Sequence, residues 1–260
     1  MVFFDIHTHR RGVHSDIISV VSVDLGDEAV RNSLSIWPDR GIQDVIPFDF
    51  DSPSCDFDSS SCDLDSQSCD FDSPSCIPNK NVFYSVGVHP WHVASIRMEV
   101  VQSLALNPCV IAIGETGLDK ATAKTLQDFS LQHALFLEHI QLSEKIRKPL
   151  IIHCVRAWNE LLQIHKTVKP SMPWIIHGFR GKAATASQLL EAGLFLSFGA
   201  YYHPEALKIA WEKKRLLAET DDKSISIKEI YRQIADDLHI PIETLAEEIE
   251  TLVKSPILSH

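Results

Sequence analysis

The sequence predicts an α/β protein in which eight parallel strands close into one (βα)8 barrel, the TIM barrel. Eight short apolar runs rich in Val, Ile, Leu and Phe recur along the chain, and stretches of helical length and spacing follow the later runs. Continuous apolar runs of this kind are typical of strands buried on both faces of a parallel sheet. Metal-binding side chains come at the carboxyl ends of these runs, where such barrels build their active sites. A doubly wound open sheet is the alternative.

The predicted strands divide the whole chain, 1–260, into a single slightly compact barrel domain with one insertion between strands 2 and 3. In order, they are 2–6 (VFFDI), 17–24 (IISVVSVD), 82–88 (VFYSVGV), 110–114 (VIAIG), 149–153 (PLIIH), 173–177 (PWIIH), 194–199 (LFLSFG) and 215–219 (RLLAE). Helical segments follow the fourth to eighth strands, for example 125–147 and 187–192. The sequence defines the first two crossovers poorly.

The insertion, residues 48–78, is built on four adjoining copies of the heptad D-[FL]-D-S-x-S-C at 49–76. Structural zinc sites usually pair cysteines roughly two to four residues apart, whereas these cysteines recur every seventh residue without a histidine between them. The heptads also lack the glycine and the closing glutamate of an EF-hand loop. Because dense like charge with little apolar surface cannot support a packed core, we predict a disordered acidic segment.

The acidity of the chain is concentrated in this insertion, whose eight aspartates leave only −3 of the formal net charge of −11 for the rest. The sequence has no basic stripe of the kind that binds duplex nucleic acid, so tight duplex binding is not expected. The N-terminal residues do not follow the pattern of a secretory signal, and no apolar stretch reaches the roughly 18 residues of a membrane helix. We therefore expect a cytoplasmic protein without membrane contact.

Side chains that can bind divalent metal ions lie at the ends of five predicted strands. They are His7 and His9 after strand 1, Glu115 after strand 4, His153 and His177 at the ends of strands 5 and 6, and Asp221 after strand 8. The carboxyl ends of barrel strands converge on one mouth, so these six residues can form one site. Alternate residues of a strand point the same way, so His7 and His9, about 7 Å apart at their Cα atoms, can chelate one ion. A lone histidine at a strand end usually has a structural role, but six coincident residues favour a metal centre.

Six short motifs carry a resemblance to the TatD family of metal-dependent deoxyribonucleases, which belongs to the amidohydrolase-like barrels. In order they are FDIHTH, GVHP, IGETGLD, PLIIHC, IIHGFRG and LLAETD, and they span nearly the whole chain apart from the heptads. The resemblance implies two divalent ions. It assigns His7, His9 and Asp221 to one ion, His153 and His177 to the other, and Glu115 to a bridge between them. The mixed imidazole and carboxylate ligands favour Zn²⁺ or Mn²⁺, with Mg²⁺ also possible.

The sequence departs from the family pattern at two places near the predicted site. The histidine of strand 5 is usually followed by Ser-Arg, whereas HCVRAW places Arg156 three residues after His153. The family usually has Ala-Pro after ETD, where this chain has Asp222 and Lys223. The metal-binding residues are therefore retained, while residues that face the substrate differ.

Two bound ions would lower the pKa of a water molecule from ~15.7 to about 7 and polarise a phosphoryl oxygen. Asp221 and Glu115 are the predicted catalytic residues, since Asp221 would accept the proton of this water and Glu115 would hold both ions. The candidate substrate-binding residues are Arg180, His89 and Arg156. Arg180 precedes a predicted helix, whose first amides can bind a phosphate. Exposed bases could stack on Trp91, Trp158 or Tyr201.

The predicted function is metal-dependent hydrolysis of phosphodiester bonds by a TatD-like deoxyribonuclease or exonuclease that acts on single-stranded DNA or DNA ends. One alternative enzyme is a hydrolase of small phosphoesters, amides or lactones. An alternative of another class is a non-catalytic barrel that binds a partner through the acidic repeat.

Overall fold

A computed structural model describes residues 1–10, 15–26, 81–93 and 98–257, and the predicted insertion 48–78 lies outside these ranges. The described residues form one sheet of eight parallel strands in sequential order. The strands are β1 (Phe3–Thr8), β2 (Ile17–Asp24), β3 (Val82–Gly87), β4 (Val110–Asp119), β5 (Leu150–Val155), β6 (Trp174–Ile176), β7 (Phe195–Phe198) and β8 (Leu216–Ala218).

The sheet closes on itself where the chain leaves β1 and β8. Thr8 and Asp221 form a parallel bridge. The amide of His9 donates a hydrogen bond to the carbonyl oxygen of Asp221 (3.2 Å). The amide of Asp221 donates one to the carbonyl oxygen of His7 (3.0 Å). The predicted (βα)8 barrel is therefore confirmed, and its closing hydrogen bonds lie at the carboxyl ends of the strands.

The helices of the described residues surround the barrel. They are α1 (Met98–Ala105), α2 (Leu126–Ile146), α3 (Trp158–Val168), α4 (Ala183–Glu191), α5 (Pro204–Glu212), α6 (Ile227–Leu238) and α7 (Ile242–Leu252). The predicted helix 125–147 is α2, which begins with a capping box between Thr125 and Asp128. The segment predicted at 187–192 is the second half of α4. The short helix α1 was not predicted, because it buries only Met98, Val101 and Ala105.

Strand β4 extends five residues beyond its predicted end at Gly114, so Glu115 lies inside the strand and not after it. The residues Gly-Glu-Thr-Gly have a weak intrinsic preference for strand, and pairing with β5 holds them in the sheet. Gly117 permits this pairing, since a Cβ atom there would lie 2.0 Å from the carbonyl oxygen of His153 and its φ is +142°. The close approach brings Glu115 and His153 to the same barrel mouth.

Apolar side chains fill the barrel and the layer between the strands and the helices. Phe136 of α2 packs against Trp174 of β6 with 5.5 Å between ring centroids, and both side chains are buried. Among the described residues, no helix has the length and apolar character needed to cross a membrane.

A buried histidine, His139, joins α2 to the segment after β3. Its Nε2 accepts a hydrogen bond from the amide of Val88 (3.1 Å), and its Nδ1 donates to the carbonyl oxygen of Leu135 (2.8 Å). The neutral imidazole therefore has a partner at each nitrogen. Burial is the main cause that lowers the pKa of His139 to about 4.

We expect protonation of His139 to destabilise the protein as the pH falls. The pKa is about 4 in the folded chain and ~6.5 in the unfolded chain, so the unfolded state binds the proton first. The contribution to stability is complete above pH 6.5 and is lost as the pH falls towards 4. Between pH 7 and pH 5 the free energy of unfolding should fall by about 2 kcal/mol more in the parent chain than in His139→Gln. Urea unfolding at the two pH values measures this difference.

The matched control is His133→Gln, on the same helix, which should keep the pH dependence of the parent. An equal pH dependence in His139→Gln and the parent would contradict the assignment.

Candidate metal centre

A buried carboxylate, that of Glu115, lies at the centre of the barrel mouth. Its Oε2 lies 3.3 Å from His7 Nε2 and 3.7 Å from His9 Nε2. Its Oε1 lies 2.7 Å from His177 Nε2 and 3.0 Å from His153 Nδ1. The two oxygens of one carboxylate therefore face two different pairs of imidazoles.

Asp221 joins the pair on the β1 side. Its Oδ1 lies 3.8 Å from His7 Nε2 and 3.7 Å from His9 Nε2. Asp221 has a left-handed backbone conformation, with φ of +55°, which aspartate adopts more readily than most residues. The structure thus brings together all six residues that the sequence singled out. His7, Glu115 and His153 lie in β1, β4 and β5, whereas His9, His177 and Asp221 follow the ends of β1, β6 and β8.

A second carboxyl fixes the segment that carries Asp221. Asp5 Oδ1 accepts a hydrogen bond from the amide of Thr220 (2.9 Å), and Asp5 Oδ2 accepts one from the Thr220 hydroxyl (2.7 Å). This hydroxyl also lies 2.9 Å from Thr8 Oγ1. Burial is the largest effect on Asp5 and raises its pKa to about 7. Asp5 therefore ties the barrel seam together directly beneath the candidate site.

The charges of the imidazoles and of Glu115 depend on each other. Burial opposes ionisation of Glu115, but the charges of His177 and His7, with hydrogen bonds from His153 and His177, hold its pKa well below the ordinary value. Burial likewise opposes a charge on His177, yet Glu115 and Glu219 raise the pKa of that imidazole well above its ordinary value. Burial is the main cause that lowers the pKa of His153. Glu115 is thus an anion surrounded by basic groups.

The side chains of this cluster fit a divalent cation. His7 is fully buried, and neither of its ring nitrogens has a hydrogen-bond partner among the described residues. Buried polar atoms normally have such a partner, so these nitrogens point to a group that the chain itself does not supply. His7, His9 and Asp221 offer ligand atoms within 4.8 Å of one another. Imidazole and carboxylate ligands in this arrangement could hold one or more divalent ions.

The sequence analysis missed two carboxylates that lie behind the histidines. Glu219 Oε1 lies 3.4 Å from His177 Nδ1, and Asp119 Oδ2 lies 3.3 Å from His153 Nε2. Strand periodicity could have found both. Asp119 shares the side of β4 that carries Glu115, and Glu219 precedes Asp221 by two residues.

The candidate substrate-binding residues occupy two different places. Arg156 and Arg180 line a pocket of about 510 Å³ beside the cluster, and the Arg180 guanidinium lies 5.7 Å from the centroid of the Tyr201 ring. His89 instead belongs to the cluster, because its Nε2 lies 3.1 Å from Glu115 Oε1. The other residues lining the pocket include Trp91, Trp158, Asp222 and Lys223.

Comparisons with known proteins identify the family of this chain. The family model described as TatD related DNase matches residues 75–255. The chain is 32% identical over 157 residues to an uncharacterized metal-dependent hydrolase of Buchnera aphidicola subsp. Baizongia pistaciae, covering 57% of this chain and 58% of that protein. It is 31% identical over 149 residues to the 3'-5' ssDNA/RNA exonuclease TatD of Klebsiella pneumoniae, covering 53% of this chain and 56% of that protein. The match thus spans somewhat more than half of the length of these relatives.

The fold also matches a solved structure along nearly its whole length. The crystal structure of YJJV, a TatD homologue from Escherichia coli K12, superposes with a TM-score of 0.68 and 15% sequence identity. The superposition covers 97% of this chain and 96% of that chain. At this identity, the likeness concerns the barrel fold alone.

We expect Thr220→Val to destabilise the barrel by about 1–3 kcal/mol, because it leaves Asp5 Oδ2 and Thr8 Oγ1 buried without the hydroxyl that they share. Urea unfolding of the parent and the variant measures the loss. Thr220→Ser keeps the hydroxyl and should recover most of the stability. If Thr220→Val and the parent unfold at the same urea concentration, the seam does not depend on this hydrogen bond.

Proposed function

Because this chain belongs to the TatD-related DNase family, we propose that it is a metal-dependent hydrolase that cleaves phosphodiester bonds in single-stranded nucleic acid or at DNA ends. The observation that carries the proposal is the position of Glu115. Its two carboxylate oxygens face separate groups of ligand atoms, as a residue that bridges two cations requires. The shared carboxylate supports a site for two ions over a site for one.

In this proposal, His7, His9 and Asp221 hold one ion and His153 and His177 hold the other, with Glu115 between them. A pair of divalent ions would supply a water molecule of lowered pKa and an electrophilic partner for a phosphoryl oxygen. The imidazole and carboxylate ligands favour Zn²⁺ or Mn²⁺ over Mg²⁺. His89, which contacts the same oxygen of Glu115 as His153, orients the bridging carboxylate.

Asp221 is the proposed proton acceptor. Its Oδ1 faces His7 and His9, which leaves Oδ2 as the oxygen that can take the proton of the attacking water. The Asp221 side chain is 22% exposed and lines the pocket, so it reaches both the cluster and the substrate. Glu115 is almost completely buried and has no comparable access to substrate.

The pocket beside the cluster suits a nucleotide better than an uncharged amide or lactone. Arg156 and Arg180 bring positive charge to its wall, where phosphate oxygens can be bound, whereas Lys223 pairs with Asp222. Trp91 and Trp158 offer aromatic rings for unpaired bases. A relative named as an exonuclease of single-stranded DNA and RNA supports this substrate class. Bases that stack in this way must first be unpaired, so the pocket favours single strands and ends over intact duplex.

We expect the chain to shorten an end-labelled single-stranded oligonucleotide in the presence of Mn²⁺ or Zn²⁺ and to lose this activity in EDTA. A blunt duplex of the same sequence should be degraded more slowly, since its bases must first be separated. Denaturing gel electrophoresis of timed samples measures both rates. Metal-dependent turnover of amides or lactones, without any cleavage of oligonucleotides, would reject the nuclease in favour of the alternative hydrolase.

Asp221→Asn should lower kcat by about 10²–10⁴-fold, because the amide cannot accept the proton of the attacking water. The variant should retain at least part of its metal, since an oxygen of similar reach remains at the same position. Oligonucleotide kinetics together with metal analysis measure the two effects. Asp236→Asn changes an exposed acid of α6, outside the pocket, and serves as the matched control. Undiminished turnover in Asp221→Asn would show that another group takes the proton.

A further inference from the structure

Each of the two histidines on the β5 and β6 side has a carboxylate behind its ring. The nitrogen of His153 that faces Glu115 is Nδ1, and the opposite nitrogen, Nε2, faces Asp119. For His177 the arrangement is reversed, since Nε2 faces Glu115 and Nδ1 faces Glu219. In both rings, one nitrogen points to the centre of the cluster and the other to a buried acid.

Asp119 is held in place by several donors. Its Oδ1 accepts hydrogen bonds from the amides of Ala121 (2.7 Å) and Thr122 (3.2 Å). Its Oδ2 accepts a hydrogen bond from the indole N–H of Trp91 (2.7 Å) and lies 3.3 Å from His153 Nε2. The carboxylate is 2% exposed. Because these donors fix both oxygens, Asp119 can act only as an acceptor towards His153.

Glu219 is more deeply buried still. Its Oε1 accepts a hydrogen bond from the amide of Gly178 (2.7 Å), which places this oxygen 3.4 Å from His177 Nδ1. Its Oε2 is buried without a hydrogen-bond partner among the described residues. Glu219 is fully buried and is not among the described residues that line the pocket.

His7, on the β1 side of the cluster, has no such carboxylate behind its ring among the described residues. Within the described residues, His7 Nδ1 is buried and has no hydrogen-bond partner. His177 Nδ1 also makes no hydrogen bond to the described residues, but Glu219 Oε1 lies 3.4 Å from it. Within the described part of the chain, carboxylates therefore lie behind His153 and His177, and none lies behind His7 Nδ1.

We propose that Asp119 and Glu219 are positioning residues that place the ring proton of His153 on Nε2 and that of His177 on Nδ1. The other nitrogen of each ring, which faces Glu115 at hydrogen-bond distance, would then offer its lone pair to an ion bound at the centre. A histidine that binds a metal usually donates its second ring N–H to such an acceptor, which fixes the tautomer and raises the basicity of the ligand. The inference rests on the proposed function only in that it takes the cluster to bind divalent ions.

The substitution Asp119→Asn has a specific consequence. The side-chain oxygen can still accept hydrogen bonds from the amides of Ala121 and Thr122, but the NH₂ group then takes the place of Oδ2. It faces His153 Nε2 and also the indole N–H of Trp91, which loses its acceptor. Because two donors cannot pair, the imidazole must accept at Nε2 and carry its proton on Nδ1, the atom that faces Glu115. The ligand atom is thereby blocked while the size of the side chain is kept.

The test is titration of the full chain with Co²⁺, followed by calorimetry and by the visible absorption of the bound ion. The parent should bind two ions. In Asp119→Asn, the dissociation constant of one ion should rise about 10–100-fold, and that of the other should stay within twofold. His153→Ala should weaken the same ion, and adding Asp119→Asn to it should cause no further loss, since both changes act through one imidazole.

Glu219→Gln and His177→Ala form an equivalent pair of variants, whose effects on Co²⁺ binding should likewise not add up. Glu160→Gln, which alters an exposed acid paired with Lys120, is the control and should bind Co²⁺ as the parent does. Thermal unfolding in EDTA verifies that each variant is folded, and if Glu219→Gln is not, the Asp119 cycle decides alone.

Two results would overturn the inference. The first is that Asp119→Asn binds both Co²⁺ ions with the affinity of the parent. The second is that the losses of Co²⁺ affinity in Asp119→Asn and His153→Ala add up in the double variant. Failure of the proposed function is a separate outcome. If the parent cleaves no oligonucleotide but Asp119→Asn selectively weakens one Co²⁺ ion, the positioning role stands without the nuclease.

Discussion

The structure depends above all on the ionised carboxylate of Glu115, which is buried at the mouth of an apolar barrel. An unpaired buried charge costs several kcal/mol, and a buried ion pair is favourable only when its geometry is good and its remaining hydrogen bonds are made. Imidazoles from three different positions around the barrel provide this compensation, on the β1, β5 and β6 sides. A shift of any of these strands would therefore leave the charge uncompensated, so the electrostatics of the site and the register of the sheet constrain each other.

The backbone meets this constraint at two places where strands must come unusually close. Gly117 lets β4 approach β5, and the bridge between Thr8 and Asp221 closes the barrel at the level of the cluster. The buried hydrogen bonds between Asp5 and Thr220 reinforce this bridge. Candidate ligands thus lie beside backbone positions that close strand contacts and buried hydrogen bonds hold in place. A site that must hold several ligand atoms to within about half an ångström benefits from such rigid support.

These physical reasons also explain how much could be predicted from the sequence. The eight strands and the six clustered residues were predictable, because buried parallel strands read as apolar runs and their carboxyl ends share one mouth. The true end of β4 was not, since the residues around Glu115 have weak strand preference and only pairing with β5 extends the strand. Asp119 and Glu219 share a strand side with predicted ligands, so periodicity marks them as candidates, but sequence does not show whether such an acid caps a helix or supports a histidine.

The same distinction separates the chemistry of this site from its choice of substrate. The candidate metal ligands lie on or directly beside strands, where pairing and burial leave few alternatives, so family resemblance transfers to them residue by residue. Arg156, Arg180 and Lys223 instead lie on loops above the mouth. Loop residues are free to change without cost to the barrel, and the departures from the family pattern at Arg156 and Lys223 lie there, whereas Arg180 belongs to a matching motif. The pocket residues of this chain must therefore determine its substrate, whereas the positions of the candidate metal ligands follow from the strands that carry them.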